Sequence, residues 1–279
     1  MGIAEALEFV GIGLVAGSYG TLVGAGGGFL VVPMLMLFYG ATPQSAAGTS
    51  LAVVFLNALS GTMSYARQKR IDYRTGVRFA VATLPGAAIG AYVSQYLTAE
   101  FFNVLFGLVL VALALFLIVR PDRVPSAPAS GSDDPPAASH GLTWRTVVDA
   151  RGEIFTYGFN QRNGIILSFF VGFFSSVLGI GGGIIHVPAM VYLFNFPAHI
   201  ATATSHFILA ISAAAGAGSH LVFGHVLYLP AALMGVGVIV GAQIGAAISH
   251  RIRGRWLIRL LSVALIVVGL RLVLGGVLG

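Results

Sequence analysis

The chain has 279 residues, of which 57% are hydrophobic and 9% charged, with a mean hydropathy of +0.92; soluble globular chains carry about 25% charged residues, so water is excluded as the solvent for most of this surface. The absence of cysteine removes disulfides, thiolate metal sites and cysteine nucleophiles together. The formal charge of +6 sits in loops beside apolar runs, where membrane orientation accounts for it without a nucleic-acid partner.

Six apolar runs exceed the roughly 18 residues that suggest a membrane span: Ile3 to Val23, Pro43 to Tyr65, Phe79 to Leu97, Phe101 to Val119, Val226 to Ile248 and Trp256 to Leu278. The first carries Glu5 and Glu8 and no basic leading region, which argues against a cleaved secretory signal. Behind it comes the glycine cluster Gly24 to Gly28, then a short apolar piece, Phe29 to Tyr39. Gly179 to Gly183 is likewise followed by Ile184 to Phe194. Each piece is about 11 residues, or about 16 Å of helix, half of a hydrocarbon core of about 30 Å. The expectation is a half-span or re-entrant segment, its irregular backbone buried in protein or facing a wet cavity. Between the two units, Pro121 to Gly141 is rich in Pro, Ser, Ala and Asp and reads as a linker without a core. Two β-prone stretches then flank Asp149 to Gly152, either a hairpin at the membrane surface or an irregular connection.

GAGGGFLVVP at Gly24 recurs as GIGGGIIHVP at Gly179, a shift of 179 − 24 = 155. The same shift carries Thr49-Ser50 onto Thr204-Ser205, Gly61 onto Gly216, Tyr73 onto Tyr228 and Pro85 to Ala91 onto Val240 to Ala246. About 19 identities accumulate over about 68 positions without a gap, the mark of a duplication. Residues 1–120 form the first repeat, 121–162 the linker and 163–279 the second repeat. Arg67, Lys69, Arg70, Arg74 and Arg78 crowd the loop before the first unit's penultimate helix, and the loop near Thr98 to Glu100 has no Lys or Arg. In the second unit this reverses: His220 and His225 stand before the equivalent helix, and Arg251, Arg253, Arg255 and Arg259 after it. With Lys and Arg marking the cytoplasmic side, the repeats are inverted, Arg120, Arg123 and the linker lie inside, and both termini lie outside. The expected fold is an all-α polytopic membrane protein of two inverted-topology repeats, about five helical segments each, with broken or re-entrant helices at the glycine motifs.

Glycines allow backbone amides to approach a ligand, and a helix starting after them offers free N–H groups and a positive dipole end. Gly24, Gly26, Gly27, Gly28, Gly179, Gly181, Gly182 and Gly183 are thus candidates for holding a small anion; close helix packing is the alternative. A nucleotide loop does not fit, since neither cluster follows a strand or contains the required lysine. Hydroxyls of Thr49, Ser50, Thr204 and Ser205 are placed to donate to an anion or to back-bond along their own helix. His186 and His206, which replace Val31 and Leu51 of the first unit, are costly at membrane depth without a partner. They bind an anion, relay a proton or bond a neighbouring helix. Asn57, Gln243 and Gln44 are the amides expected to face an interior, whereas His199, His220 and His225 fall near predicted loops and Arg271 is expected to snorkel. No metal-ligand spacing is present.

The paired GxGGGxxxVP segments, each followed by a Thr-Ser pair, resemble the sulfite exporter TauE/SafE family, the toluene sulfonate uptake permeases. The resemblance covers both halves outside the linker. It implies a secondary transporter of small sulfur-containing anions such as sulfite, thiosulfate or organosulfonates, in a bacterial cytoplasmic membrane, without ATP hydrolysis or cofactor. On this reading the substrate sits near the midplane, transport follows alternating access, and the partners are the small anion, the bilayer, a coupling proton or ion, and possible further copies of the chain in a homo-oligomer. An anion channel on the same half-helices is the competing reading. An intramembrane enzyme using His186 and His206 is disfavoured, because no acidic residue lies near to orient a histidine base.

Overall fold

A computed structural model describes residues 2–119 and 142–249 throughout, with 251, 252, 256, 259–263 and 265–269 beyond them. The linker from Pro121 to Gly141, together with Arg120, Arg253, Arg255 and Arg271, lies outside the described residues. So does part of the predicted span from Trp256 to Leu278, whose described residues are helical.

The described chain runs α1 (Ile3–Val23), α2 (Gly28–Tyr39), α3 (Pro43–Arg67), α4 (Tyr73–Ser94), α5 (Ala99–Val119), β1 (Thr143–Val148), β2 (Ile154–Phe159), α6 (Gln161–Leu178), α7 (Gly183–Tyr192), α8 (Ala198–Val222) and α9 (Tyr228–Ser249). Helix starts follow local chemistry. Thr42 accepts a bond from the Ser45 amide before Pro43, Asp72 caps α4 through the Thr75 amide at 3.1 Å, and Asn160 caps α6 through the Asn163 amide.

Six described helices are long and apolar enough to cross a membrane: α1, α3, α4, α5, α8 and α9. The apolar-run reading misses α8, because Thr202, Thr204, Ser205, His206 and Ser212 interrupt it. All five are buried, so their polarity faces protein and not lipid. Helices α3 and α8 form the centre, each with 67% of its most apolar window buried, against 33% for the peripheral α5.

Glycine stripes set the packing around this centre. A Cβ on Gly17 of α1 would stand 2.6 Å from the Val238 Cα of α9, and one on Gly172 of α6 would collide with the Thr83 carbonyl of α4. Gly86 and Gly90 lie against the carbonyls of Phe169 and Phe173, and Gly241 and Gly245 against those of Leu14 and Ser18. Each contact maps onto its counterpart through the 155-residue shift, with the two halves exchanged. Lipid offers no hydrophobic drive for helix association, so backbone approach of this kind is what holds such helices together.

The uncertain segment is a hairpin. Strands β1 and β2 pair antiparallel from Thr143↔Phe159 to Val148↔Ile154. One face buries Phe155, Tyr157 and Phe159, and Phe196 stacks near Tyr157 and Phe159 at ring-centroid distances of 4.2 and 5.0 Å. Its turn is tied to the α3–α4 connection. The Arg70 Nε and Nη2 donate to Asp149 Oδ2 at 3.2 and 2.9 Å, and the Ala150 amide donates to the Gln68 carbonyl. Gln68 Nε2 donates in turn to the Ala246 carbonyl at 3.0 Å, so the ends of α3 and α9 meet beside Arg67, Lys69 and Arg70.

Burial alone would raise the Asp149 carboxyl. The Arg70 guanidinium and the Arg151 and Glu153 amides outweigh that and hold it below its usual 3.8. A depressed folded-state pKa adds stability that is present above the unfolded pKa and is lost as pH falls through the folded one. The hairpin's attachment is therefore expected to be constant from neutral pH down to about pH 4 and to weaken below it. Hydrogen exchange at the Arg151 and Glu153 amides measures this. Asp149→Asn should abolish the acid dependence, and an unchanged acid response in that variant would place its origin elsewhere.

Candidate functional site

Helix α1 stops at Gly24 and α2 restarts at Gly28; α6 stops at Gly179 and α7 restarts at Gly183. The stops are written into backbone angles. Gly24, Gly26 and Gly27 have φ of +79°, +78° and +83°, and Gly179, Gly181 and Gly182 have +69°, +73° and +55°, the left-handed region that a Cβ disfavours. The Ala25 and Gly26 amides turn back onto the Gly20 carbonyl at 2.8 and 3.0 Å. Among the described residues, the amides of Gly27, Gly28 and Phe29, and those of Gly182 and Ile184, make no hydrogen bond, although all five residues are buried. These are the orphan donors that every helix start leaves.

The two breaks lie against each other. A Cβ on Gly28 would be 2.7 Å from the Gly179 carbonyl oxygen, and one on Gly183 would collide with the Gly24 carbonyl. Close packing, one of the two alternatives in the sequence, therefore holds at these glycines. The freed carbonyls are taken by side chains. Ser50 Oγ donates to the Gly179 carbonyl at 2.7 Å, Ser205 Oγ to the Gly24 carbonyl at 3.2 Å, and Asn57 Nδ2 to the Gly26 carbonyl at 3.0 Å.

The paired threonines face the other way. Thr49 Oγ1 accepts the Leu227 amide at 2.9 Å and Thr204 Oγ1 accepts the Asp72 amide at 3.0 Å, and these partners are related by the same shift, 227 − 72 = 155. Each Thr-Ser pair thus fastens a break of the opposite half with one hydroxyl and an interhelical loop of that half with the other.

His206 joins this cluster from α8. Thr21 Oγ1 donates to Asn57 Oδ1 at 3.0 Å, so His206 Nε2, 3.1 Å from the same Thr21 oxygen, is the donor of that pair. Its Nδ1 is buried and has no hydrogen-bond partner among the described residues. Gly61 makes room for the ring, since a Cβ there would be 2.5 Å from His206 Cδ2.

Two candidates bond elsewhere. His186 Nε2 is 3.2 Å from Ser168 Oγ on α6, and Gln243 Nε2 joins α9 to α3 through the Ser60 carbonyl and hydroxyl, both at 2.8 Å. Gln44 bonds the Ser94 and Leu97 carbonyls at the α4–α5 connection. His220 corrects the expectation of a loop histidine: it ends α8, is fully buried and contacts the Ser176 carbonyl at 2.9 Å, because α8 extends to Val222. Among the described residues, no group of three His, Cys, Asp or Glu side chains is placed to hold a metal ion.

Sequence reasoning missed Val54 and Leu209. These equivalents, 209 − 54 = 155, meet over Gly26 and Gly181, and a Cβ on Gly181 would be 2.6 Å from Val54 Cγ1. Both are apolar among apolar neighbours; their shared register under the repeat was the available signal.

Gly61→Ala should destabilise the protein by about 1–3 kcal/mol through overpacking against the imidazole. In a His206→Ala background that cost should vanish, as thermal unfolding in detergent would report. Additive effects would show that Gly61 does not make room for this ring.

The profile of a family described as "Sulfite exporter TauE/SafE" matches residues 9–272. The chain is 38% identical to the probable membrane transporter protein YunE of Bacillus subtilis (strain 168), over 95% of this chain and 96% of that one. It is 27% identical to the probable membrane transporter protein MJ0441 of Methanocaldococcus jannaschii, over 94% and 93% of the two chains. The probable membrane transporter protein YjnA of Bacillus subtilis (strain 168) is also 27% identical, over 94% and 97%. No solved structure matches.

Proposed function

The chain belongs to the sulfite exporter TauE/SafE family of membrane transporters, and from that premise we propose that it carries small sulfur-containing anions, such as sulfite, thiosulfate or an organosulfonate, by alternating access around the two glycine breaks. One observation carries this reading. At the breaks the carbonyls of Gly24, Gly26 and Gly179 are occupied by side-chain donors, whereas buried amides at the starts of α2 and α7 are left open. A pair of breaks with these carbonyls occupied and spare donors, at two positive helix ends, favours a negative guest when the breaks part. Glycines 24, 26, 27, 28, 179, 181, 182 and 183 present the amides; Ser50 and Ser205 are released to the anion when the breaks part. His186 and Gln243 act as supports of α7 and α9.

In this reading residues 1–120 and 163–279 are inverted repeats joined by a linker at 121–162. The exchange of equivalent contacts supports the arrangement, and so does the meeting of the C-terminal ends of α3 and α9 on the basic side. That side is cytoplasmic by the distribution of Lys and Arg, in a bacterial inner membrane, with both termini outside. The Thr204–Asp72 bond closes the basic side and the Thr49–Leu227 bond the opposite one. With both made, and Val54 against Leu209, the site is occluded. A coupling proton would sit on His206 Nδ1, the buried nitrogen without a partner.

Reconstituted vesicles offered labelled sulfite, thiosulfate and a sulfonate should show saturable uptake and counterflow for at least one of them. Unsaturating conductance would instead make the protein a channel, and no flux of any sulfur anion would sink the proposal. The latches are tested separately. The chain lacks cysteine, so a single Val54→Cys reports access of an impermeant thiol reagent. Thr204→Val should raise labelling several-fold from the basic side, and Thr49→Val from the other. Identical sidedness in both variants would refute the latch assignment.

A further inference from the structure

On the basic face the α3–α4 connection, the hairpin turn and the end of α9 line a cavity of about 300 Å³. Its lining includes Arg67, Gln68, Arg70, Asp149, Arg151 and Ala247. Three guanidiniums face one carboxylate there, 3 − 1 = +2. The carboxylate is fully engaged: Asp149 Oδ2 accepts both Arg70 bonds, and Oδ1 accepts the Arg151 and Glu153 amides at 2.8 and 3.0 Å. Nothing is left of it for Arg67 or Arg151.

The Arg70 side chain is 5% exposed, yet among the described residues its Nη1 has no hydrogen-bond partner. Gln68 Oε1 is also buried without a donor among those residues, while Gln68 Nε2 is fixed on the Ala246 carbonyl. A buried unpaired guanidinium edge costs stability unless an acceptor reaches it. The wall thus combines two exposed guanidiniums, Arg67 and Arg151, with a buried Arg70 edge and a buried Gln68 acceptor beneath them. A solvated basic surface explains Arg67 and Arg151 but leaves the buried Arg70 edge unexplained.

We propose that this cavity binds a phosphate-type oxyanion, its charged oxygens held by Arg67, Arg70 and Arg151 and a hydroxyl of the same ligand donated to Gln68 Oε1. Planar guanidiniums suit such oxygens in paired hydrogen bonds. The volume lies at the low end for ligand pockets and admits a small anion or a single headgroup. Free inorganic phosphate and an anionic lipid headgroup share this chemistry, and at a membrane surface both reach the site. The ligand would bridge α3, α9 and the hairpin, two residues from the Asp72 latch, and so hold the basic side closed. The inference does not depend on which anion is transported.

The test uses the full chain purified in detergent, with thermal unfolding followed against inorganic phosphate at ionic strength matched with chloride. The same measurement is then made in nanodiscs of phosphatidylglycerol or phosphatidylcholine. Arg67→Ala/Arg151→Ala is the comparison variant; both side chains are exposed, so the Arg70–Asp149 pair stays intact and the ligand-free unfolding temperature is the baseline. A saturable rise of several degrees with phosphate, lost in the variant, supports the site with a free anion as ligand. A rise in phosphatidylglycerol alone, again lost in the variant, supports it with a lipid headgroup. No response in the wild-type chain, or an equal response in the variant, overturns the proposal.

Discussion

Everything in this protein answers to one constraint: backbone polar groups freed inside a hydrocarbon slab must find partners there, because water is absent. Two interrupted helices free such groups near each other. Ser50, Ser205 and Asn57 supply donors to the carbonyls, and among the described residues no side chain supplies acceptors to the amides. That imbalance, and not any formal charge, is what the proposed preference for an anion rests on. It also explains why α3 and α8 are the most buried spans, since they must carry the polar groups that repair the breaks.

The repeat is strict where backbone meets backbone and loose where side chains meet. Glycine contacts, the serine-to-carbonyl bonds and the threonine latches recur under the same shift. Around them the halves diverge. His206 stands opposite Leu51, Asn57 opposite Ser212 and Tyr65 opposite His220. Tyr65 and His220 nevertheless do matching work, one on the Thr21 carbonyl at 2.7 Å and the other on the Ser176 carbonyl at 2.9 Å. The hairpin adds a further asymmetry, since it braces the basic side, where Tyr157 donates to Asp72 Oδ2 at 2.9 Å. The equivalent bonds Thr204–Asp72 and Thr49–Leu227 are therefore supported unequally.

Much of the architecture was legible beforehand. Hydropathy located five of the six described spans, the glycine clusters located both breaks, and the 155-residue shift located the equivalent positions whose contacts the two halves exchange. Helix α8 escaped detection because run-finding treats a buried polar residue and a lipid-exposed one alike. For the same reason His220 read as a loop residue. The hairpin was one of two readings, since β-propensity in a short segment depends on what packs against its face, here Phe79, Phe194 and Phe196.

By itself the sequence determined the solvent, the duplication and the places where helices must stop, because hydropathy, register and left-handed glycines are local properties of the chain. Only the tertiary structure decided which hydroxyl bonds which carbonyl, that Val54 meets Leu209, and that Arg70 is buried against Asp149. Those facts join residues as much as 181 positions apart, and no local preference encodes a partner at that distance.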